Sequence, residues 1–167
     1  MNIQFYLEKL KASEKFKKFM NENPLAYLCS GFFSIDKAGN DNKQHFDYYV
    51  PESKKMFSFQ LEDEIKLIPA QMFEGYIPER LLVDCDADFD EVKKIIMEKM
   101  EQENIKNKLQ KILLSLQNKD GNDFFISTVF ISGFGMLKLN IDISEMKIVL
   151  FEKKSFLDIM KIVKKDD

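Results

Sequence analysis

Hydrophobic and polar positions along this chain follow two kinds of repeat, and the switches between them mark out the elements. At first the spacing is helical, but the apolar stripe changes face. Ile3, Leu7 and Leu10 share one stripe, and Phe16, Phe19 and Met20 share another. The phase slips at Ala12–Ser13, where a serine hydroxyl can accept from the first free backbone N–H groups of a new helix. The pattern predicts two short helices, 3–11 and 14–22, stopped by Asn23-Pro24.

Beyond Pro24 the period becomes two. Leu25, Tyr27, Cys29, Phe33 and Ile35 fall on one side of a strand over 25–36. Phe46, Tyr48 and Val50 alternate with His45, Asp47 and Tyr49 over 44–50, and Phe57, Phe59 and Leu61 with Met56, Ser58 and Gln60 over 55–61. Turn-forming residues at 37–40 and 51–54 separate these runs, which predicts an antiparallel meander with a further short strand at 65–68. In the connector 69–88, Pro69 is placed to open a helical turn that Gly75 closes. Leu81, Leu82 and Val83 give it enough apolar surface to pack on the body.

Asp88 and Glu91 have capping-box spacing ahead of a stripe of Phe89, Val92, Ile95, Ile96 and Met100, so a helix is expected to about 103. Strands follow at 109–117, 123–132, 136–143 and 146–152, although Leu109, Ile112, Leu113 and Leu116 also fit a helix. Ser155 and Asp158 repeat the capping spacing before Phe156, Ile159, Met160 and Val163, a C-terminal amphipathic helix. The fold class is therefore α+β. Two helix-then-antiparallel-meander halves, 1–68 and 89–167, are joined by the packed connector 69–88 into one compact unit.

Local sequence supports an internal duplication. Phe32-Phe33-Ser34-Ile35, followed by Gly39-Asn40, parallels Leu113-Leu114-Ser115-Leu116, followed by Gly121-Asn122. A duplicated helix-then-strands unit resembles tandem PepSY-like domains, and a helix followed by a curled antiparallel sheet resembles the cystatin-like arrangement. The Gln-x-Val-x-Gly signature of cystatins is absent. The resemblance implies a binding or regulatory module, and it transfers no functional residue.

Composition narrows the chemistry. The chain has 167 residues, 45% hydrophobic and 32% charged, as in an ordinary globular protein. Sixteen phenylalanines and nine methionines, with no tryptophan, point to a soft, phenylalanine-rich core. A net charge of −3 offers no overall electrostatic footprint for nucleic acid, leaving only a local patch of Lys106, Lys108, Lys111, Lys138 and Lys147 to test. No apolar run is long enough to cross a membrane, and the first ten residues lack a signal-peptide core, so a reducing cytoplasm is expected, with Cys29 and Cys85 as buried thiols.

Few residues carry a chemical signal. His45 is the single histidine, which excludes multi-histidine metal centres and leaves a structural histidine on the polar sheet face as the better reading than a Cys29–His45 pair. The acidic run 84–91 begins like a calcium loop, but Phe89 stands where the sharp turn needs glycine and Ile95 where a bidentate glutamate is needed. It reads instead as a helix cap. Gly133-Phe134-Gly135 joins two strands without a phosphate-loop pattern. No cofactor or metal is expected, and no catalytic residue is identified.

What stands out is the minor parity of the strands. Phe32, Tyr49, Phe124, Ile126 and Phe130 point away from the predicted core, where they are covered by the connector and helices, packed between half-sheets, or left lining a groove. The function expected is a non-catalytic binding or adaptor module. It acts on a protein or an apolar ligand through Phe134, Tyr49, Phe124 and Phe130, with a homodimer a further option through open sheet edges. An enzyme of unrecognised class and a nucleic-acid-binding protein are the alternatives.

Overall fold

The structure, a computed structural model, describes residues 2–83 and 87–155. The helices are α1 (Ile3–Lys11), α2 (Glu14–Glu22) and α3 (Phe89–Gln102). The strands of the first run are β1 (Tyr27–Asp36), β2 (Lys43–Val50), β3 (Lys55–Gln60) and β4 (Lys66–Ala70). Those of the second are β5 (Leu109–Lys119), β6 (Asn122–Ile131), β7 (Gly135–Asp142) and β8 (Lys147–Ser155). All eight belong to one antiparallel sheet in the order β4-β3-β2-β1-β5-β6-β7-β8. The first strands of the two runs, β1 and β5, therefore pair at its centre.

The helices begin where their caps dictate. The Asn2 and Ser13 side chains accept from the backbone N–H groups of Phe5 and Phe16, and Asp88 accepts from that of Asp90. The expected slip between α1 and α2 falls at Ser13. The segment 109–117, which fits either periodicity, is strand: Ile112, Leu114 and Leu116 are buried, and Leu113 faces the other way. The predicted C-terminal helix falls outside the described residues.

All three helices lie on one face of the sheet. Phe16 and Phe19 of α2 set their rings edge-on against Tyr48 and Phe59, and Val92, Ile96 and Met100 of α3 enter the same core. Tyr6 of α1 meets Phe89 of α3, and Phe89 meets Phe33 of β1. Phe33, Phe46, Phe59 and Phe125 are fully buried, each side chain contributing roughly 1.5–3 kcal/mol by leaving water.

Three expectations need correction. Pro69 lies in β4 opposite Phe57 and opens no helical turn. It is tolerated there because β4 is an edge strand, where a missing N–H donor leaves no ladder bond unmade. Cys29 is the extra residue of a β-bulge between Leu28 and Ser30, so strand parity reverses across it. Phe33 and Ile35 face the helices, but Tyr27 pairs with Tyr49 on the other face, Leu28 takes the core-facing place, and Leu25 is exposed. Thirdly, Tyr49 is buried, not exposed as partner surface. Its ring lies 5.5 Å from that of Tyr27, which the connector covers.

The connector is pinned at three points. The Tyr27 hydroxyl donates to the Pro78 carbonyl at 2.6 Å, and the Leu81 N–H donates to the Leu28 carbonyl at 3.0 Å. The Leu82 and Val83 N–H groups donate to the Asp123 carboxylate, which also accepts from the Asn118 side chain. Asp123 is buried, so its loss leaves several donors without a charged acceptor. Asp123→Ala is expected to lower unfolding free energy by about 2 kcal/mol, measured by urea denaturation. A change within error would mean that water replaces the carboxylate without loss.

Candidate functional site: the open sheet face

Among the described elements, no helix covers the second face of the sheet. Antiparallel alternation would ordinarily dress such a face with polar residues, and around β1–β3 it does, with Ser30, Asp47, Ser58 and Gln60. On β6 it does not. The outward row is Phe124, Ile126, Thr128 and Phe130, with no charge in it, and Ile126 and Phe130 are each 37% exposed. Leu113 of β5 lies opposite Thr128, Met136 of β7 opposite Phe130, and Leu150 of β8 opposite Asn140. Phe32 of β1, opposite Ser115, extends the patch across the centre.

Three of the four sequence-predicted partner residues belong to this region. Phe130 and Phe134 line one concavity of about 290 Å³ together with Gln110 and Met136. Phe124 is half-buried at the far end of the same row, about 20 Å along β6 at the strand rise. Tyr49 is excluded by burial. Leu113, Met136 and Leu150 share this face and are not singled out by the sequence reading. Their positions on the outward parity of alternating strands were the available signal.

Phe134 sits at the tip of the β6–β7 hairpin, 83% exposed. Gly133 (φ 77°) and Phe134 (φ 59°) both adopt left-handed backbone. Glycine does so without penalty, whereas a phenylalanine there is strained.

A second concavity lies on the helix side. Beside α3 a trough of about 770 Å³ is lined by Met97, Met100, Ile105 and Leu109 and by charges of both signs, Lys106 and Lys108 among the cations and Asp90, Glu98 and Glu101 among the anions. The lysines considered as a nucleic-acid patch are thus divided between two faces. Lys111, Lys138 and Lys147 stand on the open face, where Lys111 pairs with Asp41, and Lys138 and Lys147 lie opposite Glu152 and Asp142.

The reactive side chains are occupied structurally. His45 Nε2 meets the Glu62 carboxylate at 2.7 Å, and the His45 ring lies against Phe32. The Cys29 thiol donates to the Asp47 carbonyl at 3.3 Å and lies 3.5 Å from Met56 Sδ, not beside His45. Burial, helped by the Asp47 charge, pushes the Cys29 thiol up to about 12. Burial likewise raises Tyr48. Asp88 acts as the α3 cap, while Asp84–Asp86 fall outside the described residues. Among the described residues no three His, Cys, Asp or Glu side chains cluster as metal ligands, and no helix is long and apolar enough to cross a membrane.

No family model and no curated protein matches the chain. Its fold is similar to the crystal structure of a "putative lipoprotein" from Clostridium difficile, with a TM-score of 0.56 at 10% identity, covering 84% of this chain and 91% of that one.

Proposed function

We propose that this protein is a non-catalytic binding module that takes an apolar partner, a protein surface or an apolar ligand, on the open face of its sheet. The observation that carries this reading is the uncharged outward row of β6, flanked by Leu113 of β5 and Met136 of β7. Exposed apolar side chains grouped on one sheet face are a physical ground for a binding surface. The strained, exposed Phe134 beside Phe130 adds weight, because backbone strain persists where function favours it.

Nile red, a neutral dye that brightens in apolar surroundings, tests the reading. It is expected to bind the native protein, and the double substitution of Ile126→Lys and Phe130→Lys is expected to abolish that binding. Both positions are partly exposed, so unfolding free energy should move by no more than about 0.5 kcal/mol for each. Dye binding unchanged in the folded variant would overturn the proposal.

A second reading rests on the α3 trough. Its methionines and its mixed charges suit an apolar ligand with a polar end.

The two strand runs are read here as a duplication. The local repeat aligns Phe33 with Leu114, and these two residues face each other across β1–β5. Two halves related by a twofold axis require this of a residue on the axis, and they require its neighbours to exchange. Phe32 faces Ser115 and Ser34 faces Leu113 accordingly.

A further inference from the structure

Arg80 is the single arginine in a chain otherwise basic only through lysine and His45. Its place is fixed from both sides, by the Tyr27–Pro78 hydrogen bond before it and by the Leu81–Leu28 bond after it. The guanidinium lies 4.8 Å from the centre of the Tyr27 ring, a cation–π contact that leaves its N–H edges uncommitted. Arg80 lines a polar concavity of about 270 Å³ between the connector, α1 and the start of β1, and Lys11, Gln4, Tyr27 and Tyr48 line it too.

Among the described residues, neither Arg80 nor Lys11 has a carboxylate within ion-pair distance. The Tyr48 hydroxyl has no hydrogen-bond partner among them either. The concavity thus combines two cations and a hydroxyl without a protein acceptor. The Gln4 amide, by contrast, is held on the Val83 carbonyl at 3.1 Å. A guanidinium presents planar paired donors that match the two oxygens of a carboxylate or phosphate, which the ammonium of lysine does not.

We propose that this concavity is a binding site for a small oxyanion, a carboxylate or a phosphate group, gripped by Arg80 and Lys11. The volume accommodates a small anionic group. Arg80 is exposed, so binding is reversible and fast.

The single arginine makes the test direct, because the protein has one side-chain Nε–H resonance of this type. Inorganic phosphate and acetate are titrated separately into the labelled full chain at constant ionic strength, with chloride as reference. A saturable shift of the Arg80 resonance, half-complete at or below about 1 mM, is expected with at least one of them. The responding anion identifies phosphate or carboxylate as the preferred head. Lys11→Gln, an exposed position whose fold the same spectrum checks, should weaken the response about threefold to tenfold. A shift that stays linear and equal to that of chloride would overturn the proposal, and so would a response unaffected by Lys11→Gln.

Discussion

Phe33→Ala is expected to lower the free energy of unfolding by about 3–5 kcal/mol, the range for removing a fully packed phenylalanine. The reason is position as much as size. Phe33 is 1% exposed on β1, with its ring 5.4 Å from Phe46 of β2 and 5.0 Å from Phe89 at the start of α3. Across the strand it faces Leu114, so it touches both strand runs and the helix that begins the second. A cavity there cannot be filled by one element relaxing. Phe32→Ala, one residue along on the open face, is the matched control and should move stability by no more than about 1 kcal/mol. Urea denaturation of the pair decides the matter, and equal losses would mean that the second face is as closed as the first.

Cys29 is expected to resist thiol reagents. With its thiol pushed up to about 12 by burial, the thiolate fraction at pH 8 is about a thousandfold below that of an ordinary cysteine. In a Cys85→Ser variant, Ellman's reagent should react with the native protein about a thousandfold more slowly than with the urea-unfolded chain. A native rate within tenfold of the unfolded one would contradict this burial. The same shift has a sign for stability. The unfolded thiol loses its proton near its ordinary value of 9.0, whereas the folded one holds its proton to about 12. Stability from this group is therefore complete below pH 9 and is lost as pH rises towards 12. Cys29→Ser should flatten that alkaline decline.

How much of this was legible beforehand depended on whether the signal was local. Helix starts were, because Ser13 and Asp88 announce them by side-chain chemistry alone. Strand parity was legible wherever a strand is regular, as in Phe46–Tyr48–Val50 or Leu137–Leu139–Ile141. It failed at Cys29, since a bulge is set by the partner strand and leaves no mark on the alternation. Pro69 misled for a related reason: whether a proline can sit in a strand depends on that strand being an edge, which only the sheet order reveals. Tyr49 was assigned correctly to the outward parity but wrongly to the surface, because burial there comes from a connector distant in sequence. Phe124, Ile126 and Phe130 were read correctly as outward-facing. The place of Arg80 was not legible at all, since it depends on hydrogen bonds between residues 78–81 and the start of β1.

On the proposed reading an apolar partner binds the open face and not the helix side. The most direct measurement is methyl-resolved NMR of the full chain during a Nile red titration. Shifts concentrated at Ile126, Met136, Leu113 and Leu150 are expected. Shifts concentrated instead at Met97, Met100 and Ile105 would contradict that reading and transfer the binding function to the trough beside α3.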